Sequence, residues 1–364
     1  MSISPIRSGG FFVVTWGSVR TSRALMGVLV ATAMFSTVFA GGSIPHHSSS
    51  SVSVASGEPL LARPGVEYAP IAVGGAPGGI AYDSSKHEMF VANWNTSNVS
   101  VISDTTDKVV TSIGVGSNPF GLAYDSAKHE VFVVNFGSGT VSVISDATNS
   151  VVTTVGVGTQ PYGAIYDPAK HEVFVTNFLS DSVSVISDAT NTVVATIPVG
   201  VEPYAGAYDP AKHEVFITNW GPSATGNTVS VISDRTNGVV ATITVGTAPL
   251  QVAYDPAKHE VWVANSLSGN VSVISDATNK VVASVTVGGH PGSVVYDASK
   301  HEVFVVIGSA NATDVLSDAT DTVVATVQVT GGANSAAYDS TKHQLWITQD
   351  YVNSVTILSD STPV

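Results

Sequence analysis

The chain has 364 residues, 44% of them hydrophobic and only 12% charged, half the usual ~25%. Acids outnumber bases 28 to 14, and three of those bases (Arg7, Arg20, Arg23) precede residue 41, where there is no acid. So acidic a body excludes nucleic acid as a partner, because counterion release needs a basic surface. The absence of cysteine excludes disulfides, thiolate metal sites and Cys nucleophiles.

Arg20 and Arg23 precede the 17-residue apolar run Ala24 to Ala40, which exits through Val38-Phe39-Ala40 and Gly41-Gly42. This order of basic, apolar and small residues predicts an export signal over 1–40, cut after Ala40. If uncut, the same segment is an anchor and the chain's one link to a membrane. Either way residues 41–364 are expected outside the cytoplasm: extracellular, at the cell surface or in the periplasm. Residues 41–65, with the Ser-rich stretch from His46 to Pro59, have little to bury and read as a flexible tether.

From residue 66 a repeat governs the sequence. Tyr-Asp-x-x-Lys-His recurs at Tyr82, Tyr124, Tyr166, Tyr208, Tyr254, Tyr296 and Tyr338. Ser-Asp recurs at the same spacing, ending at Asp104, Asp146, Asp188, Asp234, Asp276, Asp318 and Asp360. Val-Gly-x-x-Pro opens at Val73 and returns through Val287, then degrades at Val329. One unit, Pro161 to Gly200, contains four strand signals. Tyr162 to Tyr166 is a short extended run, followed by an Asp-Pro turn. His171 to Asn177 is rich in β-branched and aromatic residues. Ser182 to Ser187 alternates with period two, as a half-buried strand does, and Thr192 to Val199 completes the unit. Four antiparallel strands in about 40 residues make a propeller blade.

These strands are labelled A to D. The seventh unit ends after C, at Asp360, whereas Val66 to Val73 precedes the first unit and ends in the D-strand signature. Counting that segment gives every blade four strands. Tyr68 to Val73 is therefore expected to pair outside Ser354 to Asp360 and close a seven-bladed, all-β ring. Within the repeat, Phe174-Val-Thr-Asn177 and Phe216-Ile-Thr-Asn219 resemble the YVTN-family β-propeller repeat over residues 66–364. The resemblance implies an exported, surface-layer-type propeller and brings no catalytic residue with it.

The seven His, seven Ser-Asp motifs and the Glu after each His but the last repeat once per blade, and read as blade-building residues: each His as the start of strand B, each Glu as an ion-pair partner beside the turn. Sevenfold spacing puts the His too far apart for one metal, so no metal site is expected. Strand A, from Gly79-Ile-Ala to Ser335-Ala-Ala, offers the central tunnel no carboxylate, His or Lys. No nucleophile elbow or haem motif occurs, and no cofactor is expected.

Variation points to the face carrying the D–A and B–C loops, here called the top. Trp94, Phe136, Phe178 and Trp220 follow strand B, and Phe120, Tyr162 and Tyr204 follow the D–A Pro, all in blades 1–4. They form either a ligand patch or a packed rim. Blade 4 carries the insertion Gly221 to Gly226. Glu202 and His290 are the acid and base candidates on this face, and Asn95, Asn98, Asn270 and Asn311 stand in glycosylation sequons. The expected function is a binding or scaffold module for a cell-surface glycan, peptide or protein, without catalysis. The alternative is an extracellular propeller hydrolase of lactonase type.

Overall fold

The computed structural model describes residues 69–360. The export segment (1–40), the tether (41–65) and the start of the expected latch at Tyr68 lie outside the described residues. The described residues form seven sheets of four antiparallel strands: the chain is a seven-bladed β-propeller. Blade 3 comprises Pro161–Asp167, Glu172–Asn177, Ser182–Ser187 and Thr192–Pro198, in that spatial order. The A strands of successive blades neighbour one another, and that of blade 7 (Ala333–Asp339) lies beside that of blade 1 (Pro77–Asp83).

The ring closes as its strand count requires. Ile71–Ala72 pairs with Ser354–Ser359, Ile71 opposite Val355 and Ala72 opposite Ser354. Val73 N–H donates to Asn353 O at 3.0 Å, and the Asn353 side chain accepts from Ala76 N–H at 2.8 Å. The first and last strands of the described residues thus share one sheet.

The core is not central but divided among the blade–blade junctions. Phe174, Val183, Val185 and Ile197 of blade 3 pack on Val215, Ile217 and Ile232 of blade 4. Val173, Val175 and Ile186 turn the other way, onto Phe132, Val134 and Val143 of blade 2. Blade 7 meets blade 1 in the same manner, Trp346 and Ile357 against Met89 and Ile102. Each fully buried Phe or Ile stabilises by ~1.5–3 kcal/mol. Strand C departs from its half-buried reading. Both of its faces are covered, and its alternate serines, such as Ser184, are buried because strand B supplies them with donors.

Glycines set how closely blades approach the axis. A Cβ on Gly121 would lie 2.3 Å from Tyr162 O, and one on Gly79 2.2 Å from Phe120 O. The outer edge is handled differently. In blade 3 the register slips between Val185 and Ile186, so that Val194 has no partner and stands 52% exposed. Five other blades slip at the matching step. Such bulges twist an outer edge away from flat pairing with another chain.

A chain beginning at residue 74 leaves strand C of blade 7 with an open edge and uncovers Val355 and Trp346. Relative to a chain beginning at residue 66, it is expected to lose ~2–3 kcal/mol, the burial of Ile71 and Val73. Thermal unfolding followed by circular dichroism measures this. Equal heat resistance of the two chains would contradict the latch.

Candidate functional site

The two faces of the ring are built from different parts of the repeat. On the bottom, the A–B and C–D turns of one blade join by Asp104 N–H donating to His87 O at 3.0 Å, and so at every blade to Asp360 and His343. The A–B aspartate caps its turn: Asp167 Oδ1 accepts from Ala169 N–H at 2.8 Å and Lys170 N–H at 3.1 Å. The repeated His does not begin strand B, as the sequence suggested. It closes the turn with φ between 55° and 59°, and the strand starts at the following residue. Left-handed backbone there lets the turn match the twist of the strands it joins.

The His, Tyr and C–D Asp of each blade converge. The Tyr hydroxyl donates to the Asp Oδ2 in all seven blades, at distances from 2.7 Å (Tyr338–Asp360) to 3.5 Å (Tyr166–Asp188). His Nδ1 lies against the same oxygen in blades 1–6, for example 3.0 Å in blade 4. Burial, then the neighbouring carboxylates, pushes the Tyr208 hydroxyl far above its usual range. It therefore stays protonated and acts as a donor. Lys86, Lys128, Lys258, Lys300 and Lys342 reach the C–D Asp carbonyl of the following blade. The glutamates beside the turn feel the lysine charge two residues before them, and Glu88, Glu130 and Glu214 also meet Asn149, Asn191 and Asn279 of the next blade. Burial raises their carboxyls, Glu302 to about 7.

On the top, strand B ends in a buried Asn in blades 1–5 and in the buried Gln349 in blade 7. Asn177 Nδ2 donates to Ser182 Oγ at 3.2 Å and to Ser184 Oγ at 3.0 Å. The Val-Gly glycine packs on this amide, so a Cβ on Gly200 would lie 2.4 Å from Asn219. In blade 6, where Ile307 replaces the Asn, a Cβ on Gly288 would meet nothing within 4 Å, and the Gly288 N–H donates to the buried Asp314 Oδ2 at 3.2 Å. Thr176, Thr218 and Thr348 join neighbouring blades. The Thr218 hydroxyl accepts from Ala205 N–H at 3.1 Å and donates to Leu250 O of blade 5 at 2.6 Å.

The seven aromatics of blades 1–4 form one continuous stack. Trp94 meets Phe120 and Phe136 with ring centroids 6.1 and 5.0 Å apart, and Phe120 meets Tyr162 at 4.3 Å. Tyr162 meets Tyr204 at 4.0 Å and Phe178 at 6.2 Å, and Phe178 meets Trp220 at 5.7 Å. Phe120, Phe136, Phe178 and Trp220 are buried, whereas Trp94, Tyr162 and Tyr204 are partly exposed. The Tyr162 and Tyr204 hydroxyls lie 2.6 Å apart, and burial pushes the latter up to about 12.

Glu202 and His290 are not brought together. Glu202 sits in a left-handed turn (φ 53°), with its N–H on Asp181 Oδ1 and its carbonyl accepting from Trp220 N–H. Ala76, Asn118, Gln160 and Ala248 share that conformation, so it belongs to the loop and not to the acid. His290 is exposed and engages other loops: its Nδ1 lies 2.8 Å from Ser266 O and its N–H donates to Ser309 Oγ. The blade 4 insertion is a short turn around Pro222–Ala224, docked on the next loop by Ala248 N–H donating to Gly226 O. Of the sequon residues, Asn95 and Asn311 are exposed. Asn98 and Asn270 engage Asn93 and Ser284 through their amides.

Sequence reasoning did not single out three top-face residues of blades 5 and 7. Tyr351 is 64% exposed, Val352 55% and Leu267 54%. Beside Tyr351, burial raises the Asp350 carboxyl to about 6. Their only sequence signal is departure from the repeat.

A family model described as a YNCE-like beta-propeller matches residues 120–221, which hold every ring of the aromatic stack except Trp94. No curated protein matches the chain. A solved chain of Kuenenia stuttgartiensis hydrazine synthase is similar with a TM-score of 0.71 and 17% identity, covering 79% of this chain and 96% of that one. It is one of 1601 matching chains, and likeness at this identity is a likeness of fold.

Two substitutions test the top-face assignments. Thr218→Val strands the Ala205 N–H and the Leu250 carbonyl, and is expected to cost ~1–3 kcal/mol in urea unfolding. Phe136→Ala empties a buried site in the aromatic stack, with an expected cost of ~3–5 kcal/mol. A change below ~0.5 kcal/mol in either would show that the residue packs nothing essential.

Proposed function

We propose that the protein is an exported propeller that binds a protein, peptide or glycan at the cell surface through its top face. The observation that carries this reading is the contrast between the faces. The bottom repeats from blade to blade, and its polar groups serve the ring. The top loops change from blade to blade, and expose Tyr351, Val352 and Leu267 over rigid blades. Variable loops on a stiff scaffold are where recognition residues gather. The stacked aromatics support this face from beneath, and Trp94, one of its three partly exposed rings, stands next to the exposed Asn95 where a ligand reaches it.

Export rests on the basic-then-apolar pattern from Arg20 to Gly42. The Tyr-Asp-x-x-Lys-His and Phe-x-Thr-Asn strings support a YVTN-type, surface-layer-like propeller. In this reading the inner strands form a scaffold, since they present Gly, Ala, Val, Leu and Ile with few polar groups.

Residues 41–364, screened against glycan and surface-protein arrays, are expected to yield a ligand. Tyr351→Ala, Leu267→Ala or Trp94→Ala should then weaken its binding about tenfold, a loss of ~1.4 kcal/mol. Unchanged affinity in all three variants would remove the top face from the proposal. A stoichiometric bound divalent ion together with lactone hydrolysis would replace binding by catalysis. Amino-terminal sequencing of the exported protein is expected to begin at Gly41.

A further inference from the structure

At the bottom of the ring, each blade's A–B aspartate meets the C–D aspartate of the next blade. The junction of blades 3 and 4 shows the consequence most plainly. Asp167 Oδ1 accepts the two turn N–H groups, whereas its Oδ2 is buried and has no hydrogen-bond partner. Asp234 Oδ2 accepts from the Tyr208 hydroxyl at 3.1 Å and faces His213 Nδ1 at 3.0 Å, whereas its Oδ1 is buried and partnerless too. The two carboxyls are within hydrogen-bonding reach of each other. Two ionised carboxylates offer only acceptors, so neither orphan oxygen can satisfy the other. Leaving both ionised and buried is costly, and one proton between them cures both defects.

We propose that these junctions are proton sites, each holding a single proton in an O–H···O⁻ bond between aspartates of consecutive blades. The pairs are Asp83–Asp146, Asp125–Asp188, Asp167–Asp234 and Asp255–Asp318. The A–B aspartate keeps an unpartnered, buried Oδ2 in every pair. The carboxyls are within hydrogen-bonding reach in the other three pairs too, with Lys128 Nζ 4.0 Å from Asp188 Oδ1. Two junctions are set apart: Asp209 and Asp276 interact through charge alone, and Lys300 forms an ion pair with Asp360 Oδ1 while the Asp297 carboxyl is lowered. The closing junction differs. Asp104 receives hydrogen bonds from Tyr82 and Thr105, and Lys342 Nζ lies 3.7 Å from its Oδ1. Those groups outweigh burial and lower its proton affinity.

Other ionisable groups face the blade 3–4 pair: Tyr208 and His213 from blade 4, with exposed Arg235 next in sequence to Asp234, and Lys170 and Glu172 from blade 3. Lys170 attracts and Glu172 repels, and the Tyr208 hydroxyl, which faces both Asp167 and Asp234, has one proton for the two, so none of them supplies the second donor. Burial, ahead of the turn N–H groups that oppose it, raises the Asp167 carboxyl. A carboxyl raised in the folded state contributes stability that is complete below its unfolded value near ~4, and loses it as pH rises through the folded value. The ring therefore tightens in mild acid and loosens toward alkaline pH.

Asp167→Asn tests this, because an Asn at 167 keeps the turn cap through Oδ1 and supplies a fixed Nδ2–H donor to Asp234. Thermal unfolding is followed from about pH 5 to about pH 8. The variant's midpoint is expected to gain on the wild type's steadily as pH rises. Unfolding at pH 7 in buffers of different ionisation enthalpy should release about one proton fewer than in the wild type. A constant offset between the two proteins at every pH, with equal proton release, would overturn the proposal. Should the variant fail to fold, the wild type decides. Its infrared spectrum at pH 7 is expected to show protonated-carboxyl absorption that vanishes on unfolding, and absence of that band would overturn the proposal. So would a midpoint that Ca2+ raises and a chelator lowers, which would place a divalent cation where the proton is assigned.

Discussion

Every sheet in this molecule is apolar on both faces, and only another sheet can cover it. Strand B of blade 3 shows the constraint at single-residue scale: Val173 points into one junction and Phe174 into the next, and both are fully buried. A row of such sheets always leaves two faces uncovered unless its ends meet. Closure is therefore the condition on which the whole core depends. The few residues around Ile71 matter far beyond the area they bury, because they fix the segment before blade 1 to the last sheet.

The repeated polar residues follow from the same constraint. A junction that buries Val and Phe also buries the turn ends beneath them, and every polar atom there needs a partner. Tyr, His and Asp of one blade answer one another, Lys reaches the carbonyl of the next, and Thr218 stitches two inner strands. The chemistry that first draws attention in the sequence, seven His beside seven acids, is spent on holding neighbours together. Where the repeat lapses, the structure repairs itself locally. Asp314 takes over the backbone N–H that the missing Asn of blade 6 no longer holds.

The top face is free of that obligation in part only. The rings of blades 1–4 pack on one another, and most are buried, so aromatic content there measures packing as much as recognition. The side chains with surface to offer, Tyr351 and Leu267, lie in blades whose loops carry no rings in register with the stack. A propeller separates these tasks by geometry: closing contacts sit between blades, and loops vary at one end without disturbing them.

The sequence alone determined the strand count, the blade boundaries and the closing latch, because period-two patterning and turn chemistry are local and the repeat shows them seven times. It also showed that the His and Asp series serve the blade, since identity in every unit argues against a single site. It could not show that Asp167 meets Asp234, or that Gly200 must be small because Asn219 lies over it. Nor could it show that serines alternating along strand C are buried rather than facing water. Those facts arise where residues from different strands or different blades are brought together, and a linear pattern carries no information about what faces it across a junction. Only the closed ring decided which oxygen of each aspartate finds a donor and which is left facing another acid.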